Sequence, residues 1–120
     1  MSFGRKGNSV TLHNAIRRAK RAGILMFASS GNGGSSEENN VEYPAAYDEV
    51  VAVGAVTPEG TLSDMTSTGD ELELLAPGEY IKTTGWMDLE CISNGTSFAV
   101  PHVTGIASLL WQKDFSKSAD

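Results

Sequence analysis

Two short stretches of the chain carry residue types that could do chemistry. The first is Asn94-Gly95-Thr96-Ser97-Phe98-Ala99-Val100-Pro101-His102-Val103-Thr104-Gly105. It puts Ser97 at the mouth of a segment that is apolar nearly all round, from Phe98 to Trp111. A serine at the start of a buried helix is a good nucleophile position, because the helix N-terminus favours the negative charge that develops beside it. Gly95 lets the chain turn tightly just before it. The same serine suits a helix N-cap, and on these residues alone both roles stand. The second stretch is Ala28-Ser29-Ser30-Gly31-Asn32-Gly33-Gly34, a tight turn behind a short apolar run. An asparagine amide held on such a turn is a preorganised donor for an oxyanion. A plain turn asparagine and a phosphate loop are the competing roles. A phosphate loop needs a Gly-Lys-Ser/Thr ending, which is absent here.

Elements must hold these residues in place. Asn8 or Ser9 can cap a helix running to about Arg21, with Leu12, Ile16 and Ala19 on one face and Gly23 as its stop. Ile24 to Ala28 and Val50 to Val56 are apolar runs without alternation. Such runs are strands buried on both faces, as in a parallel sheet covered by helices. Gly31 to Asn40 reads as an exposed loop between them. Leu72 to Ala76, Tyr80 to Thr84 and Glu90 to Ser93 read as further short strands, with a Pro77-Gly78 turn between the first two. The last helix spans about Thr96 to Lys113, and its apolar surface belongs in the middle of a protein larger than itself. Pro101 falls in its first turns, where a missing N–H costs least. The pattern predicts an α/β fold.

Composition narrows the function classes. The chain has 120 residues, 40% apolar and 20% charged, with a formal net charge of −6. That suits one small globular domain and excludes collagen, coiled coil and wholesale disorder. Its longest purely apolar run, Ile24 to Ala28, is far below the ~20 residues of a membrane span, so no membrane partner is expected. No apolar stretch follows Met1 to Lys6, so no signal peptide is visible. Cys91 is the one cysteine, which excludes an intrachain disulfide. Residues 1–21 carry +6 and the remainder −12. The basic residues fall on the polar face of the first helix with no aromatic residue among them, so no nucleic-acid partner is expected.

The string around Ser97 closely resembles the serine signature of the subtilisin-like serine proteases (peptidase S8), with Phe98 at a usual methionine and Thr104 at a usual small residue. Ala28 to Gly34 is similar to the turn carrying that family's oxyanion asparagine. Tyr43-Pro44-Ala45-Ala46-Tyr47, Val50 to Ala55, Ser67-x-Gly69 and Leu75-Ala76-Pro77-Gly78 resemble further family segments, with Met65 where an aromatic is usual. Met1-Ser2-Phe3-Gly4 resembles the edge strand that pairs with substrate. The resemblance implies the C-terminal portion of a three-layer fold, a mainly parallel sheet flanked by helices, with residues 1–120 forming part of a peptidase domain. It implies Ser97 as nucleophile, Asn32 as oxyanion donor, and Ser2, Phe3, Gly4 and Gly31 as contacts for a polypeptide substrate. Glu42 falls where the family's S1 pocket has its base, and a carboxylate there favours Lys or Arg at P1. The carbonyls of Ala45, Tyr47 and Val50 resemble a weak cation site of some relatives. No carboxylate cluster accompanies them in the sequence, so no metal is expected, and no cofactor. Most members of the family are secreted, and the lone cysteine fits either side of a membrane.

The acid–base partners are missing. Serine attack needs a base and the base an orienting carboxylate. In this family they precede the serine in the order Asp, His, Ser. Neither partner motif occurs in the chain. His13 sits on the surface helix beside Asn14 and Arg17. His102 follows Ser97 on one helix, and the resemblance makes it a buried packing and hydrogen-bonding residue. Asp64 and Asp70 lie in loops with no histidine nearby in sequence. Alone, the chain is expected not to hydrolyse peptides efficiently. Three explanations compete: a catalytic domain cut in half, one chain of a two-chain protein, and a non-catalytic assembly or binding module. The intact Ser97 and Asn32 favour the first. About half of the resembled domain, the half with the Asp and His, would then be a missing partner. Its absence exposes strand edges and one side of the last helix, so self-association is expected. An esterase of the α/β-hydrolase type is a weaker alternative, because its Gly-x-Ser-x-Gly elbow would need glycine where Ala99 stands.

Overall fold

Helix α1 (Val10–Arg21) begins where the sequence offers a cap. Ser9 is extended, and its hydroxyl accepts from the Leu12 N–H at 3.4 Å in this computed structural model, which describes residues 1–34 and 39–114, Asp88 by its backbone only. Residues 35–38 of the expected exposed loop lie outside the described residues. The helix ends in a paired turn. The Gly23 N–H donates to Lys20 at 2.9 Å and the Ile24 N–H to Ala19 at 3.1 Å. Strands β1 (Phe27–Ser29), β2 (Val51–Val56) and β3 (Leu72–Pro77) form one parallel sheet in that order. Strands β4 (Ile81–Thr84) and β5 (Glu90–Ser93) make a separate antiparallel ribbon, joined by a 3-10 turn over Trp86–Asp88. Helix α2 (Thr96–Lys113) follows.

The sheet is filled from both sides. Met26, Ala28 and Ala52 join Ile16, Ala45, Tyr47 and Val50 in a core under α1. Phe27, Val53, Ala55 and Ala76 join Ala99 and Val100 in a core under α2. Successive strand residues therefore serve opposite cores, which is why neither run alternates with polar residues. Complete burial of Val53 alone stabilises the fold by roughly 2 kcal/mol. The result is three layers, α1, sheet and α2, as an α/β fold with a parallel sheet requires.

Two expectations need correction, for β1 and for Pro101, while the open side of α2 is as expected. Strand β1 starts at Phe27 and not at Ile24, because Ile24 closes the turn that ends α1 and is 52% exposed. Helix α2 is covered on one side only. Ala99 and Val100 are buried, while Ile106, Leu109 and Leu110 are each more than half exposed. Pro101 is the sixth residue of α2, beyond its first turn. The helix bond it cannot make is the one to the Ser97 carbonyl. That carbonyl instead accepts from the Ser2 hydroxyl at 2.8 Å.

Candidate active site

Gly95 caps α2 with φ +150, a value at which a side chain is strained. Its N–H donates to Gly78 at 2.8 Å. This turn sets Thr96 and Ser97 as the first two residues of the helix. The Thr96 N–H and hydroxyl both donate to Asn32 Oδ1, each at 3.0 Å. A main-chain N–H can only donate, so the oxygen of the asparagine must face it and the NH2 group must face away. Asn32 Nδ2 has no acceptor among the described residues, and neither has the Ser97 N–H, one of the four free donors of a helix start. Two unspent donors thus belong to residues that line one cleft with the Ser97 side chain, and such donors can stabilise an oxyanion.

The surroundings form a cleft of about 350 Å³ lined by Gly4, Gly31, Asn32, Glu42 and Ser97, together with Lys6, Ser29, Gly33 and Thr96. The segment in front of α1 is held to the loop after β1 by a two-way pairing, Arg5 N–H to Tyr43 at 2.9 Å and Tyr43 N–H to Arg5 at 3.0 Å. The Glu42 side chain fills the space where Gly4 and Gly31 lack a Cβ. Five of the seven residues singled out in the sequence therefore share one cleft. Ser2 joins through Ser97 by exchanging hydrogen bonds with it. Phe3 is 57% exposed and does not line the cleft.

The subtilase family model matches residues 1–119. The chain belongs to the subtilase family. Subtilisin DY of Bacillus licheniformis is 42% identical over 114 residues, which cover 94% of this chain and 42% of that protein. Minor extracellular protease Epr of Bacillus subtilis (strain 168) is 41% identical over 114 residues, 95% of this chain and 17% of its own length. The solved structure of sphericase superposes with a TM-score of 0.88 at 30% identity, covering 99% of this chain and 44% of the other. This subtilase chain thus spans less than half the length of the relatives it matches.

No base stands at Ser97. Its hydroxyl donates to the Ser2 carbonyl at 3.3 Å, and it has no His, Asp or Glu partner among the described residues. His13 is engaged elsewhere: Nε2 meets Glu49 at 3.0 Å and the ring stacks on Tyr47 at 4.0 Å. Arg17 binds the other Glu49 oxygen at 3.1 Å. Burial pushes the Glu49 carboxyl up, but the hydrogen bonds from His13 and Arg17 outweigh it and hold the group below its ordinary range. His102 departs from the expectation of burial. Its Nδ1–H donates to the Phe98 carbonyl at 2.8 Å, yet it is exposed, because it lies where the chain leaves α2 uncovered.

Several residues of the candidate site were not visible in the sequence. Lys6 and Ser29 enter the cleft only because the Arg5–Tyr43 pairing and β1 bring distant stretches together. Thr96 had no signal beyond its place before Ser97. A second cleft, about 520 Å³, gathers Asp48, Asp70, Glu71 and Glu73 around Ala45, Tyr47 and Val50, so carboxylates do accompany those residues once the chain is folded. No three His, Cys, Asp or Glu side chains are grouped to hold a metal ion among the described residues.

Proposed function

We propose that this chain is the nucleophile-and-oxyanion part of a subtilisin-like serine endopeptidase domain. The observation that carries the reading is the Asn32–Thr96 clamp, which spends the asparagine oxygen and leaves its NH2 free in the cleft that Ser97 also lines. Ser97 Oγ attacks the scissile carbonyl and its proton passes to a histidine supplied by the rest of the domain. Asn32 Nδ2 and the Ser97 N–H hold the oxygen as it becomes negative. Substrate main chain pairs along Ser2, Phe3 and Gly4, and the P1 side chain enters between Gly4, Gly31 and Glu42. Glu42 favours Lys or Arg at P1, and Lys6 at the same cleft tempers that preference. By itself the chain is inactive and self-associates through the open side of α2.

The test is labelling of Ser97 by a fluorophosphonate. Labelling is expected once the preceding half of the domain is supplied and not before. Labelling of the lone chain would overturn the missing-base argument. No labelling of the complete protein would favour a non-catalytic assembly or binding role. Cleavage profiling of the complete protein tests Glu42, and a preference for large apolar P1 residues would reject it.

A further inference from the structure

Asn32 stands on a turn that packing does not hold. Asn32 and Gly33 are both exposed, and a glycine flanks the asparagine on each side, Gly31 at φ +112. Glycines give the backbone there the widest choice of conformations. The clamp to Thr96 fixes only the side-chain oxygen. The direction of the NH2 group also depends on where the Asn32 backbone stands. One residue brackets that backbone. The Ser67 N–H donates to the Gly31 carbonyl at 3.0 Å, and the Gly33 N–H donates to Ser67 Oγ at 2.9 Å. The two peptide groups that meet at the Asn32 Cα are thus tied to the same serine. Ser67 is itself a firm anchor. It is fully buried, as is Thr66 beside it. The Thr66 hydroxyl donates to the Ala55 carbonyl and accepts from the Ala55 N–H, each at 3.0 Å, which fastens this stretch to β2. The fit is close. A Cβ on Gly31 would come within 2.8 Å of Ser67 Oγ, and one on Gly33 within 3.1 Å, so the absence of both side chains is what lets the hydroxyl approach.

We propose that Ser67 is a positioning residue for the reaction at Ser97, setting the backbone from which Asn32 presents its NH2 group. The inference rests on the function proposed above. Ser67 is not among the residues that line the cleft, so it acts through Asn32 and not on a substrate. Thr96 holds the asparagine by its tip and Ser67 holds it by its root. With both ends fixed the NH2 group is preorganised, and a donor that needs no reorientation at the moment of reaction keeps its full effect on the transition state. Without the Ser67 hydroxyl the Gly33 N–H loses its acceptor, and the peptide group after Asn32 is released between two flexible neighbours.

The experiment uses the full-length protein that carries this chain, as wild type, Ser67→Ala, Asn32→Ala and the double variant, on a peptide anilide that the wild type cleaves. Ser67→Ala is expected to lower kcat about tenfold, less than loss of the donor itself, with KM changed by less than about twofold. In the Asn32→Ala background the same change should cost less than about twofold, because the group it positions is gone. An unchanged kcat, a rise in KM alone, or the same loss in both backgrounds would overturn the proposal. Ser67→Cys, close in volume but a weaker acceptor, should fall between wild type and Ser67→Ala, and it takes the place of Ser67→Ala if that variant does not fold. Amide hydrogen exchange of the wild type needs no variant. The Gly33 N–H should be protected although the residue is exposed, and exchange at the rate of an open loop would remove the bracket. If the wild type is not labelled by a fluorophosphonate, the reading of Ser97 falls, and Ser67 is decided by the magnetic resonance signals of the Asn32 side-chain NH2. Displaced or broadened signals in the Ser67 variant keep the positioning role, and unchanged signals end it.

Discussion

The two sides of the sheet are finished to different degrees. On the α1 side Tyr47 is buried, its ring lies between His13 and Tyr43, and its hydroxyl donates to Asn8 and accepts from the cap residue Ser9. On the α2 side the sheet is covered, but the helix turns Ile106, Leu109 and Leu110 to solvent. The candidate site lies at the N-terminus of that half-covered helix. On the function proposed above, hydrogen bonds within the chain complete the oxyanion corner, whereas the base would arrive with whatever covers α2. The closed side is finished by the chain itself, and Ser97 belongs to the helix whose outer side is open.

The largest effect expected tests the finished corner. In the complete protein, Asn32→Ala should lower kcat about a hundred- to a thousandfold with little change in KM, a scale established on a subtilisin and carried over here. An unchanged kcat would mean that the clamp prepares nothing. Next, the closed side should resist truncation. Tyr47→Ala is expected to cost about 3 kcal/mol in denaturant unfolding, since it empties a packed site and strands Asn8 and Ser9. The open side should not. Leu109→Ala should shift the lone chain by less than about 0.5 kcal/mol. The same change in the complete protein should cost about 2 kcal/mol or more. Equal costs in both would show that nothing covers α2. The smallest effect concerns Glu49. Its folded pKa is depressed, so its contribution is present above the ordinary glutamate value of 4.5 and is lost as pH falls through the lowered one. Exposure limits it to at most ~1 kcal/mol. Glu49→Gln should flatten that part of the stability–pH curve, and a curve of unchanged shape would remove the His13–Glu49–Arg17 group from the account of the closed side.

What was legible in the sequence was local or periodic. The Ser9 cap, the Gly23 stop, the span of α2 and the doubly buried β2 each leave a mark within a few residues. Ser97 and Asn32 were legible because their neighbours form recognisable strings. What escaped depends on contacts between distant stretches. Lys6 reaches the cleft through the Arg5–Tyr43 pairing, and Asp70, Glu71 and Glu73 gather at Ala45 only because β3 lies beside β2. The exposure of His102 was misjudged because an apolar helix announces that it wants cover and not whether cover is present, whereas an open side of that helix was expected.

Pro101 has a mechanical consequence. It interrupts the ladder of α2 one turn beyond Ser97, and the Ser2 hydroxyl occupies the vacated rung. Since the Ser97 hydroxyl in turn rests on the Ser2 carbonyl, the N-terminal segment and the helix are stitched twice, in opposite senses. In the first stitch the Ser97 carbonyl accepts from the Ser2 hydroxyl. The other is a parking place for the very proton that a base must collect. On the function proposed above, drawing the Ser97 side chain toward a base would undo the second stitch and leave the first, so the hydroxyl could swing while its backbone stays anchored to Ser2.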